Sequence, residues 1–121
     1  MGVFQMANLK QLLGGLTKVD GINTAIVVGR DGFVIDSAGS GNDAEALGAI
    51  VATALGSSEV MGTELRVGGL RQVLLEYASG TIVLSTLGAE AILAVVADTA
   101  ANLGNVRYNV KKMSPDFERV L

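Results

Sequence analysis

The stretch NDAEALGAIVATALGSSEVMGTELR, residues 42–66, decides how the rest of the chain must be arranged. Leu47, Ile50, Val51, Ala54, Leu55, Ser58, Met61 and Leu65 recur at three- and four-residue spacing, so a helix gathers them on one face suited to covering a sheet. The opposite face carries Gly48, Ala49, Ala52, Thr53, Gly56 and Val60 in place of the usual Lys and Glu, and residues 46–58 contain no charge. Gly48, Gly56 and Gly62 each cost about 1 kcal/mol relative to Ala inside a helix, a penalty best explained by backbone approaching backbone. The pattern predicts one long helix, buried internally on one face and covered by a partner on the other.

Upstream, Leu9, Leu12, Leu13, Leu16 and Val19 follow helical spacing from Gln5 to Val19, and Asp20-Gly21 ends the run. Residues 1–5 stand ahead of this helix as an expected disordered start, and Met6 is an alternative start to Met1. Gly14-Gly15 reads as a place where the helix lies close on the sheet. Two β-rich runs, Ile22 to Val28 and Phe33 to Ser37, flank Gly29-Arg30-Asp31-Gly32, a hairpin signal whose Asp-Gly pair tolerates positive φ. Arg30 and Asp31 at the tip read as solvated turn residues. Asn42-Asp43-Ala44-Glu45 reads as an N-cap with an acidic first turn for the long helix.

Downstream, Gly68 is the expected left-handed cap of the long helix. Leu70 to Ala78, Thr81 to Leu87 and Ala91 to Asp98 then read as three strands joined by links so short that neighbours must be antiparallel. AILAVVA is apolar on both faces and belongs at the centre of the sheet, whereas LRQVLLEYA mixes Arg71, Gln72 and Glu76 among its apolar residues and reads as an edge. Leu103, Val106, Val110, Met113, Phe117 and Val120 form the stripe of a last helix. Pro115 is expected to kink it or to start a separate terminal helix over residues 114–121. The order is helix, two strands, helix, three strands, helix, an α+β class in a single domain over residues 1–121.

At 121 residues the chain can bury a core without metal or disulfide. It is half hydrophobic and only 17% charged, lean enough in charge to suggest a self-associating surface. A net charge of -3 without a Lys/Arg cluster argues against nucleic acid and anionic membrane surfaces as partners. The longest fully apolar run, Ala91 to Ala97, is too short to span a bilayer, and without a secretory signal the expected compartment is the cytoplasm.

The catalytic inventory is small. Cysteine and histidine are both absent, which removes the commonest nucleophile–base pairs and the commonest metal ligands. Asp36, Asp43, Glu45, Glu59, Glu64, Glu76, Glu90 and Asp98 are scattered singly and read as solvated charges. Residues 39–44 formally match the G-x-G-x-x-A dinucleotide fingerprint, but they follow a hairpin, and Asp43 and Glu45 would repel a pyrophosphate. They read as a helix-capping loop. Ser57-Ser58 reads as a pair whose hydroxyls bond back to the preceding turn. No cofactor, metal or enzymatic activity is expected.

The segments LKQLLGGLTKVDGINTAIVVGRDGFVIDSAG and LRQVLLEYASGTIVLSTLGAEAILAVVAD, with the small-residue helix between them, resemble the roadblock family. That family includes the dynein light chains of roadblock type and the bacterial mutual gliding protein B. The resemblance runs from Leu9 to about Met113. It implies a profilin-like arrangement: a five-stranded antiparallel sheet with the first and third helices on one face and the long second helix on the other. It also implies a homodimer. The strand carrying Leu70, Gln72, Leu74 and Glu76 would pair with its copy, and the long helices would pack side by side through Gly48, Ala49, Ala52, Thr53, Gly56 and Val60. Small Ras-like GTPases dock on the face so formed in several members, and Glu45, Glu59 and Thr63 would form its acidic rim here. The expectation is a non-catalytic homodimer that binds and regulates a small Ras-like GTPase; the alternative is a structural scaffold dimer in a signalling or transport assembly.

Overall fold

Ala91–Ala97 has no polar position on either face, so both of its faces must be covered and both of its edges paired. The computed structural model, which describes residues 2–40 and 44–121 and side chains from residue 8 onward, places this strand in the middle. The elements in chain order are α1 (Gly2–Thr17), β1 (Ile22–Gly29), β2 (Val34–Gly39), α2 (Ala44–Leu65), β3 (Gln72–Tyr77), β4 (Gly80–Leu87), β5 (Ala91–Ala97) and α3 (Leu103–Val120). The sheet is wholly antiparallel with strand order β2-β1-β5-β4-β3, so β3 is an edge as its mixed composition demands.

Alternation along each strand sends neighbouring side chains to opposite faces and so builds two cores. Val27, Val83, Leu93 and Val95 point to one side, where Leu9, Leu13 and Leu16 of α1 and Val106, Val110 and Phe117 of α3 cover them. Ile26, Val28, Leu84 and Ile92 point to the other, where α2 lays Val51 and Leu55 on them. A layer of two helices, a sheet and a layer of one helix result.

Several local expectations are corrected. α1 begins at Gly2 and takes in residues 2–5. Neither glycine of the Gly14-Gly15 pair is required by the sheet: a Cβ at Gly14 would meet nothing within 4 Å, and one at Gly15 would make ordinary contact with Met113 of α3. α3 runs unbroken through Pro115. Pro115 cannot donate to the preceding turn, but fully buried Phe117 and half-buried Val120 anchor the segment beyond it to the core. Asn102 caps this helix by accepting from the Asn105 N–H at 3.0 Å. At the β1–β2 turn only Gly32 has positive φ, at 91°; Asp31 does not. The Gly32 N–H donates to the Gly29 carbonyl and the Gly29 N–H to the Phe33 carbonyl, which is a three-residue connection with glycine in the left-handed position.

The end of α2 also differs from expectation. Gly68 does have a positive φ, at 96°, but the residue that turns left-handed in the cap itself is Arg66, at φ 57°, two positions earlier. The Val67 N–H donates to the Gly62 carbonyl at 3.1 Å and the Arg66 N–H to the Thr63 carbonyl at 3.2 Å, a Schellman closure. Gly62 is explained by this cap, because a Cβ there would press on the Gly68 carbonyl oxygen at 3.0 Å. The expected N-cap at Asn42 and Asp43 lies outside the described residues, as does part of the dinucleotide-like motif.

Candidate protein-interaction surface

The long helix does lie on the sheet, but its buried stripe is rotated from the one that spacing alone selects. Gly48, Val51 and Leu55 are buried, and Ala44, Leu47, Ala52 and Ala54 are packed against the same cluster. Gly48, expected on the outer face, is an internal contact: a Cβ there would overlap the Gly32 carbonyl oxygen at the hairpin turn. Ala52 likewise belongs to the inner side. Conversely Ile50, Met61 and Leu65, expected in the core, are 64%, 59% and 71% exposed. The cause is the hairpin, against which the helix can seat closely only where it carries glycine.

The two flanks of α2 face different neighbours. Ala49 touches the turn glycine Gly32, and Glu59 reaches Arg30 on the same hairpin. Ala52 and Gly56 lie between Ala49 and Glu59 on that flank by helical spacing. The other flank carries Ser58, Met61 and Leu65, which line a groove of about 940 Å³ together with Val67, Leu70 and Val73 at the start of β3. The flank adjoining the free edge of the sheet is therefore Ser58–Met61–Leu65, whereas Ala49, Ala52 and Gly56 adjoin the hairpin. Between the flanks, Ala46, Thr53, Ser57, Val60 and Glu64 face solvent.

Glu59 does not stand free at the rim. Arg30 Nη1 and Nη2 donate to its two carboxylate oxygens at 2.5 and 3.1 Å, so Arg30 is no solvated turn residue. The hydrogen bond from Arg30, reinforced by its charge, holds the Glu59 carboxyl below the usual range against a smaller opposing effect of burial. With Glu59 neutralised, α2 presents no free charge to solvent between Glu45 and Glu64. Glu45 and Thr63 are exposed as expected of a rim. By length and composition α2 could cross a membrane, although polar residues interrupt its apolar ones; here it lies along the sheet.

On the edge strand, Leu74 is 36% exposed and Glu76 is exposed, while Leu70 packs on the inner core under α2. Gln72 is engaged: its amide donates to the Arg107 carbonyl at 3.3 Å, and Arg107 Nε donates back to its oxygen at 3.2 Å. No group of three or more His, Cys, Asp or Glu is placed to hold a metal among the described residues. Ser58 Oγ donates to the Ala54 carbonyl at 2.8 Å, as its position in a helix demands.

A five-stranded sheet between helices, whose long helix exposes Ile50, Val60, Met61 and Leu65 and whose edge strand β3 exposes Leu74 and Tyr77, has the form of an interaction module. Residues 8–97 match the Roadblock/LC7 domain, and the chain belongs to that family. It is 37% identical over 105 residues to protein MJ0714 of Methanocaldococcus jannaschii, covering 86% of this chain and 88% of that one. Among solved structures it is similar to MglB of Myxococcus xanthus, with a TM-score of 0.88 at 22% identity, covering 94% of this chain and 87% of that one. A Roadblock/LC7 domain from Streptomyces avermitilis superposes with a TM-score of 0.83 at 25% identity, covering 90% of this chain and 93% of that one.

Proposed function

We propose that the protein is a homodimeric, non-catalytic module that binds and regulates a small Ras-like GTPase in the cytoplasm. The observation that carries this reading is the solvent face of α2, which offers Ala46, Ala49, Ile50, Thr53, Ser57, Val60 and Met61 without an unpaired charge. An apolar strip of this length, continuous with an unpaired strand edge, is more surface than a solitary domain ordinarily leaves open. Self-association through β3 would bring two such helices onto one side of a joined sheet and form a shallow platform, a shape suited to a protein and not to a small ligand. The family resemblance supplies the GTPase. No arginine lies within α2 to serve as an arginine finger, Arg66 standing just past its end. Regulation would act by positioning the GTPase's own groups.

The test uses the cognate Ras-like GTPase from the same genome. Affinity is measured in both nucleotide states, and hydrolysis with and without the protein, for the natural chain and for Val60→Lys. The expected result is tighter binding of the nucleoside-triphosphate state and a loss of about tenfold or more in Val60→Lys, because a lysine would be desolvated at the contact. Binding indifferent to nucleotide state and to Val60→Lys would favour the structural scaffold instead. Glu59→Lys is a poorer probe, since it also releases the hairpin from α2.

A further inference from the structure

At the edge of the sheet away from β3, strand β2 carries one residue more than its partner. Val27 of β1 lies opposite Asp36 and Val28 opposite Val34, so Ile35 is the extra residue of a β-bulge. The bulge turns the strand over. Val34 packs on the cluster beneath α2 and Ala38 on the cluster beneath α1 and α3, although positions four apart in an unbroken strand share a face. Ile35 lines a groove of about 620 Å³ together with the Leu87–Ala91 turn, Leu9 of α1, and Val120 and Leu121 at the end of α3.

Two features of this groove determine what fits it. Its base is apolar: Leu9, Leu87 and Ala91 are buried core residues, while Ile35 and Leu121 stay 40% and 44% exposed. Among the described residues its only charged lining groups are Glu90 and Glu118, both exposed and neither in an ion pair. The cations adjoining it are committed elsewhere, Lys10 to Asp36, Arg30 to Glu59 and Arg119 to Asp116. An edge strand broken by a bulge is a poor template for an added strand, so an occupant must dock by its side chains, as an amphipathic helix does in an apolar groove.

We infer that this groove is a second docking site, which takes an amphipathic helix of another protein whose apolar stripe is flanked by Lys or Arg. The apolar stripe covers Ile35, Leu87 and Leu121. The basic flanks meet Glu90 and Glu118, which reject an acidic helix by like charge. Leu9, Leu87 and Ala91 belong to the core on the α1 and α3 side, whereas α2 covers the other face and β3 is the other edge. A helix bound here leaves both of those open, so the protein can hold this partner together with whatever occupies α2 or β3. The inference therefore stands apart from the dimer and the GTPase proposed above.

The probes are capped helical peptides of about 14 residues, some four turns. One carries a Leu stripe with Arg on both flanks, and the other has every Arg replaced by Glu. With the full chain, fluorescence anisotropy should show the Arg peptide binding at least about tenfold more tightly than the Glu peptide. Its amide NMR shifts should cluster at Ile35, the Leu87–Ala91 turn and the end of α3. Ile35→Ser should weaken binding about tenfold and Glu118→Lys about fivefold. Asp20→Lys makes the same charge change at an exposed position near the opposite end of the sheet, where Ile22 pairs with Ala97, and should alter binding less than about twofold. No binding of the Arg peptide, equal binding of the two peptides, or shifts centred elsewhere would overturn the site. An effect of Asp20→Lys equal to that of Glu118→Lys would show only a general attraction to a chain of net charge -3 and would overturn it too. A fall in the mass of the unliganded protein by light scattering on Ile35→Ser would show that a second copy fills the groove, which also contradicts the inference.

Discussion

Arg30 at the tip of the β1–β2 hairpin and Glu59 in the second turn from the end of α2 are joined by two hydrogen bonds, at 2.5 and 3.1 Å. The Arg30 N–H also donates to the Glu90 carbonyl at 3.0 Å in the β4–β5 turn. One residue thus pins the hairpin to the long helix and to the neighbouring β4–β5 turn at the same end of the sheet. It also removes from the solvent face of α2 the charge that residue 59 would otherwise place there.

Glu59→Gln should cost at most about 1 kcal/mol at pH 7, since both side chains are partly exposed and such pairs are weak. The cost should depend on pH. The Glu59 carboxyl is held low by the Arg30 hydrogen bond, so its contribution is fully present above the ordinary glutamate range near pH ~4.3 and is lost as pH falls through the lowered value. Urea unfolding of both proteins from pH 7 downward should show the difference shrinking in acid.

Arg66→Gly should raise stability by about 0.5–1 kcal/mol. Arg66 occupies the left-handed region at φ 57°, where a Cβ is strained and glycine is not, and its backbone bonds in the cap do not need the side chain. Urea unfolding at pH 7 measures the gain directly.

Gly48→Ala and Gly56→Ala should have opposite signs. The first forces the hairpin turn away from α2, because the new Cβ would overlap the Gly32 carbonyl, and should cost about 2 kcal/mol. The second meets nothing within 4 Å in the protomer, so it should raise stability by up to about 1 kcal/mol through helix propensity. Thermal unfolding of both variants compares them.

The element order, the central place of Ala91–Ala97 and the edge position of β3 were legible because they follow from strong local signals: alternation, unbroken apolar runs and very short links. The face of α2 was not. Spacing identifies a stripe but not its rotation, and here a contact distant in sequence, Gly48 on the hairpin turn, sets the rotation and exposes Ile50, Met61 and Leu65. Arg30 and Glu59 escaped for the same reason, being 29 positions apart with no local sign of pairing. Pro115 misled because its local rule was outweighed by burial of Phe117. The flank beside β3 carries Met61, Gly62 and Leu65, whereas Gly48 seats on the hairpin turn.

The most direct test of the account is the mass of the natural protein in solution at tens of micromolar, by light scattering. The account predicts a value near twice the chain mass of 12.4 kDa, held together by the β3 edge and the flank of α2 beside it. A monomeric mass at that concentration would contradict it.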